Sequence, residues 1–299
     1  MSIYAASRQL GIAGAIAASS IALLGNATES FAAAIAMTNG NTATYNNATT
    51  PPAGTSFTQA IASTTADPTS FTFVNFSLNG GNAVAVLVTS EAGNGTGDAT
   101  HSATFGGTAM NSVTVNQGAQ RATVFYLINP SASTGDVVVT ADHATDLTAT
   151  SFVASVIALS NVGAVSDSKT GTSTNGGNAT TPAVTLNYSA ADAGSYVVSA
   201  FVDNSSSATR VPSETDANLD ADLAQLRPGT NWTPSAGVLH SHGDIAAAGT
   251  YTAGFIAGRD TTNSNRNAAA LVVFTPVPEP TSLAFLGLAG LGLRRRRRA

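Results

Sequence analysis

Ser102-Ala103-Thr104-Phe105-Gly106-Gly107-Thr108-Ala109-Met110-Asn111-Ser112-Val113-Thr114-Val115 reads as two extended runs joined by a glycine pair. Thr, Val and Phe suit a pleated, half-buried surface. Gly106-Gly107 supplies the positive φ angles that a two-residue hairpin loop requires. The stretch therefore predicts strands at Ser102–Phe105 and Thr108–Val115 with a tight turn between them. Working outward, the same punctuation repeats. Runs at Phe71–Leu78, Ala83–Ser90, Ala122–Leu127, Val137–Ala141, Ala183–Tyr188, Tyr196–Val202, Gly237–His242, Thr250–Ala257 and Ala268–Phe274 are bounded by Gly, Asn, Asp and Ser. Thr150 to Leu159 is a longer apolar run, and its Val and Ile favour a buried strand over a helix. Glycine precedes three of the strands, in Thr134-Gly135-Asp136-Val137, Ala193-Gly194-Ser195-Tyr196 and Ala248-Gly249-Thr250-Tyr251. Outside the two ends no 3.6-residue periodicity is sustained. The fold class is all-β: an antiparallel β-sandwich, of jelly-roll or immunoglobulin-like type.

Composition narrows the function classes. Hydrophobic residues make up 43% of the 299, enough for a substantial core. Cys is absent, which excludes disulfides, thiolate zinc sites and a Cys nucleophile. Between Met37 and Pro276 there are six basic residues against fifteen acidic ones. A body of that charge repels phosphate backbones, so nucleic acid is not an expected partner. Its surface is expected to be largely Thr, Ser, Asn, Gln and Gly, which suits an extracellular β protein. Residues 35–55 read as a flexible lead-in and 56–275 as the β domain. The Gly/Ser/Thr/Asn-rich break at Lys169 to Thr181 reads as a surface loop within one domain, the alternative being a boundary between two small sandwiches.

The N-terminus has the three parts of a secretory leader: Arg8, the apolar run Leu10 to Leu24, and a cluster of small residues. Ser30-Phe31-Ala32, Ala32-Ala33-Ala34 and Ala34-Ile35-Ala36 each fit a small-x-small cleavage site. Residues 1–34 are therefore expected to be a helical signal peptide, handled by the Sec export machinery and signal peptidase.

In the C-terminal segment 276–299, Val277-Pro278-Glu279-Pro280 precedes the apolar run Leu283 to Leu293, and Arg294, Arg295, Arg296, Arg297 and Arg298 follow. The prolines hold the first part extended, as a processing enzyme's cleft needs. Eleven apolar residues at about 1.5 Å each cover roughly half of a ~30 Å hydrocarbon core. Such a helix is a poor permanent anchor. The arginines resist translocation and form a membrane stop. In this order the three parts resemble the PEP-CTERM sorting signal, the tail of substrates of the membrane-embedded, transpeptidase-like exosortase of Gram-negative bacteria. The resemblance implies removal of the tail and delivery to the cell surface or extracellular matrix, with a link to exopolysaccharide and biofilm. Separately, the Phe105–Met110 hairpin, the Tyr126 run ending at Asn129-Pro130 and the Gly135 turn look like a recurring, uncharacterised β-sandwich of secreted bacterial proteins.

Chemistry-bearing motifs are few. There is no Gly-x-Ser-x-Gly, no His-Glu-x-x-His and no phosphate-binding glycine loop. His240 and His242 lie two apart, so on a strand they share a face and form a candidate metal pair, which Asp244 can join. Asp216, Asn218, Asp220 and Asp222 carry the alternating oxygens of a calcium loop, although Ala221 and Arg227 depart from the EF-hand pattern. No other cofactor is expected. Glu91 and Glu214 read as loop residues, and no spacing singles out the carboxylate pair that glycan hydrolysis needs. The expectation is a non-enzymatic surface or matrix protein. The alternative is a jelly-roll carbohydrate-binding module, with Trp232 in Gly229-Thr230-Asn231-Trp232-Thr233-Pro234 as the candidate sugar contact.

Overall fold

Unbroken apolar runs and alternating runs take different places in this fold. The computed structural model describes residues 33–44, 58–59, 69–92, 100–142, 150–174, 180–204, 212–219, 221–226, 236–258 and 266–278. They hold eighteen strands and no α-helix. The first ten are β1 (Ala36–Thr44), β2 (Thr58–Gln59), β3 (Thr69–Ser77), β4 (Ala83–Ala92), β5 (Thr100–Phe105), β6 (Thr108–Ala109), β7 (Asn111–Gln117), β8 (Gln120–Ile128), β9 (Thr134–Asp142) and β10 (Thr150–Ser160). The rest are β11 (Val162–Ser173), β12 (Val184–Ala190), β13 (Ser195–Asn204), β14 (Ser213–Glu214), β15 (Ala221–Leu226), β16 (Ala236–Ile245), β17 (Gly249–Ile256) and β18 (Asn267–Pro276). The expected leader helix and tail helix fall outside the described residues.

Four sheets form, in the orders β2-β1-β10-β4-β8-β7, β3-β9-β5-β6, β11-β18-β13-β16-β15 and β12-β17-β14. The short β1–β2 pair is parallel, and the other pairings are antiparallel. The first half of the chain builds the first two sheets and the second half the other two. Among these strands, β1, β3, β4, β5, β7, β8, β9 and β10 occupy the same places as β11 to β18 in turn. Deleting the two-residue strands β2 and β6 makes the two orders identical. The body is thus one sandwich topology used twice.

The antiparallel all-β class holds, and the sandwich occurs twice in one stack. Residues 33–277 form one compact unit of four layers. Ala83, Ala85 and Leu87 of β4 share a core with Tyr196, Val198 and Ala200 of β13, across a seam between the halves. The alternate residues Val84, Val86 and Val88 face Phe71, Phe105 and Val139 of the outer sheet. In the second half Val197, Phe201 and Leu271 likewise face Leu186 and Phe255. The strands β4, β10, β13 and β18 are therefore covered on both faces, which is why their sequences run apolar without alternation. Each fully buried Val or Leu contributes about 1.5–3 kcal/mol.

Three expectations change. The lead-in contains β1, which pairs with β10 along its length, and Ile35 just before it is 2% exposed. The break beginning at Lys169 is instead occupied up to Ser173 by β11, an edge strand whose outer positions are polar. The run Thr108–Val115 divides at Met110: β6 pairs with β5 in the outer sheet, while β7 pairs with β8 in the inner one. Met110 is buried at that corner. The glycine hairpin holds as read, with φ of 54° at Gly106 and 79° at Gly107.

The pairing registers sort the connections between the two ends of the body. At the end holding Asn161, the links 78–82, 106–107, 129–133, 161, 191–194, 215–220 and 246–248 have six residues or fewer. At the other end, the links 45–57, 60–68, 93–99, 143–149, 174–183, 205–212, 227–235 and 257–266 have seven or more, and only 118–119 is tight.

Candidate functional site

The sorting segment leaves the fold at a defined point. Pro276 closes β18 opposite Val162, and the Val277 N–H donates to the Asn161 carbonyl at 2.8 Å. Pro278 follows, exposed and without an N–H, so the ladder stops there. Val277 is 46% exposed. Glu279, Pro280 and Arg294 to Arg298 lie outside the described residues.

Around that exit, asparagine amides replace missing ladder partners. Asn82 accepts the Val162 N–H on Oδ1 at 2.9 Å and donates Nδ2 to the Val162 carbonyl at 2.8 Å, as a paired peptide would. The Asn129 N–H in turn donates to the Asn82 carbonyl at 2.6 Å. Gly81 is required by close approach: a Cβ there would stand 2.7 Å from the Leu159 carbonyl oxygen.

At the opposite end a carboxyl group is sealed into the seam. Glu91, next to last on β4, is 5% exposed, a strand residue and not the expected loop residue; Glu214 likewise lies in a strand, β14. Gln120 donates Nε2 to Glu91 Oε1 at 2.9 Å, and among the described residues Glu91 Oε2 has no hydrogen-bond partner. Burial, helped by the nearby Asp203 and opposed by the Gln120 bond and Arg266, pushes the Glu91 carboxyl up to about 7. Asp203, on β13 of the other half, is fully buried. Its Oδ1 accepts the Gly237 N–H at 2.8 Å and its Oδ2 the Gly258 N–H at 2.5 Å. The seam thus brings two carboxyl groups from different halves into electrostatic contact, one held by two amide donors and the other poised near neutrality.

His240 and His242 do share a face of β16, as the two-residue spacing requires. Their ring nitrogens meet hydroxyls. His240 is fully buried in the seam, with Nε2 3.1 Å from Thr89 Oγ1 and Nδ1 2.9 Å from Ser155 Oγ, both on the facing sheet. Burial pushes its imidazole down to about 3, so the ring is neutral. His242 Nδ1 lies 2.5 Å from the Tyr196 hydroxyl on the neighbouring strand. Sequence reasoning missed a matching arrangement at His101, whose Nε2 and Nδ1 meet Ser90 Oγ at 2.7 Å and Thr123 Oγ1 at 2.8 Å. Each of His101 and His240 ties two stacked sheets through a pair of hydroxyls. Among the described residues no three His, Asp or Glu side chains converge as a metal ion would need.

In the candidate calcium loop, Asp216 is spoken for. Its Oδ2 accepts the Tyr188 hydroxyl at 2.6 Å, and its Oδ1 accepts the Asn218 N–H at 3.0 Å and Nδ2 at 2.9 Å. Burial and the Asp216 carboxylate raise the Tyr188 phenol well above its ordinary range. Asp222 falls in β15, while Asp220 lies outside the described residues, as does Trp232, in the link between Leu226 and Ala236. Among the described residues no helix is long and apolar enough to cross a membrane.

Residues 276–298 match the PEP-CTERM protein-sorting motif. The chain carries the sorting signal of an exosortase substrate, which implies export and a cell-surface or extracellular destination. No curated protein and no solved structure matches the chain.

Proposed function

We propose that this is an exported surface or matrix protein, cut by exosortase, whose body acts without catalysis by occupying and spacing the exopolysaccharide layer, as in a biofilm. The supporting observation is the placement of the sorting signal: the matched segment starts at residue 276, the last residue of β18. The compact four-layer body runs from residue 33 to Val277, so the matched segment overlaps it only at its last two residues. The leader read at residues 1–34 brings the chain to Sec and signal peptidase. The run Leu283 to Leu293, with Arg294 to Arg298 behind it, holds the chain in the inner membrane until the cut. Intact-mass measurement on the surface fraction tests this reading. A mature chain lacking both the leader and Leu283 to Arg298 is expected; a surface form that keeps the tail overturns it.

A second reading draws on strand order. Counting β6 and β7 as one strand that crosses between sheets and setting aside the two-residue β2, the first half runs 1-8-3-6-5 in one sheet and 2-7-4-5 in the other, the jelly-roll order with its fifth strand shared. Many sugar-binding modules use that scaffold, an analogy of fold alone. On this reading Trp232 stacks on a sugar ring of the exopolysaccharide.

A further inference from the structure

Asn161 is the whole link between β10 and β11, and so between the two halves. Its φ of 61° is in the left-handed region, which Asn tolerates better than most residues. In that conformation it meets both ends of the body. Its Nδ2 donates to the Ala34 carbonyl at 3.2 Å, and its own carbonyl accepts the Val277 N–H at 2.8 Å. The surroundings are tight. The Ile35 N–H donates to the Gly194 carbonyl at 3.0 Å, and the Ile35 side chain belongs to the seam core. A Cβ on Gly194 would stand 3.0 Å from Ala34 Cα, and one on Gly163 would stand 2.9 Å from the Pro276 carbonyl oxygen.

We propose that both processing cuts fall at this one end of the body: the leader is cut at the Ala32–Ala33 bond, the tail beyond Val277, and Asn161 holds the two new ends of the mature chain. The proposal rests on the reading of the chain as exported and exosortase-processed. Of the three small-x-small sites, only Ser30-Phe31-Ala32 leaves the observed contacts whole. A cut after Ala34 removes the carbonyl that Asn161 holds, and a cut after Ala36 removes Ile35 from the core. At the leader, water adds across the amide, leaving a carboxylate on Ala32 and an ammonium on Ala33. At the tail, the acyl carbon passes to water or an amine, and the tail leaves with a free amino terminus.

One measurement on the full chain in an exporting host tests this. Terminal sequencing of the surface form should find Ala33 first and a last residue between Val277 and Ser282. A first residue of Ile35 or Met37, or a last residue before Val277, overturns the assignment. A retained tail overturns the processing reading beneath it, a separate and recognisable failure.

Discussion

Thr89 Oγ1 lies 3.1 Å from His240 Nε2, a buried hydrogen bond between residues 151 apart that ties the first half of the body to the second. The rest of the seam is mainly Ala, Val, Leu and Ile, whose attraction is non-directional. The His240 bonds to Thr89 and Ser155 add direction, and so fix the register of one sandwich on the other.

His240→Ala should therefore destabilise the mature protein by about 2–5 kcal/mol, because it opens a cavity and strands two hydroxyls. Urea unfolding at neutral pH measures this. A triple variant with Thr89→Val, Ser155→Ala and His240→Leu removes every polar partner and should recover much of the loss. If it is as unstable as His240→Ala, packing alone explains the effect. The His240 contribution is complete above its unfolded value of about 6.5 and is lost as pH falls toward about 3, because only the unfolded chain readily takes the proton. The acid limb of the stability curve should be weaker in the triple variant.

Glu91 acts in the opposite direction. Folding raises its carboxyl from 4.5 to about 7, so the stabilisation is present below about 4.5 and disappears as pH rises through about 7. Glu91→Gln keeps a hydrogen-bonding amide without the charge. It should be more stable than the parent at pH 8, by on the order of 2–3 kcal/mol, with the difference closing near pH 4. Thermal or urea unfolding across this range reads the effect; a variant that is no more stable at pH 8 contradicts the buried-carboxyl account.

Tyr188→Phe should cost about 1.5–3 kcal/mol, since it removes a charge-assisted bond to the buried Asp216. The same protein decides the calcium question. With Asp216 already occupied by Tyr188 and Asn218, millimolar calcium should leave the melting midpoint of the parent unchanged; a clear rise would show that the loop rearranges to bind the ion.

Pull-down of the mature protein on the host's own exopolysaccharide separates spacer from lectin. The spacer reading expects weak retention that Trp232→Ala does not alter. Strong retention lost in Trp232→Ala would favour the sugar-binding reading, and strong retention that survives the substitution would place the contact elsewhere on the body.

The sequence by itself determined most of the longer strand positions and the sorting tail. Strands such as β8 and β17 were legible because glycine, asparagine and β-branched residues act locally, within a few residues of the turn they cause. The tail was legible because an enzyme reads it as a linear peptide, and no fold is needed to present it. β1 and β11 escaped because edge strands rich in Asn, Thr, Ser and Gly look like loops until a partner supplies their ladder bonds. The four layers escaped for a related reason: the apolar runs of β4, β10, β13 and β18 show that both faces are covered, but not by what. Only tertiary structure decided that half of the chain covers the other half. It also decided the character of the polar groups in the seam, since His240 becomes neutral and Glu91 poised near neutrality through burial against residues far away in the chain. A local pattern can specify a turn, whereas desolvation depends on every element that closes around a group.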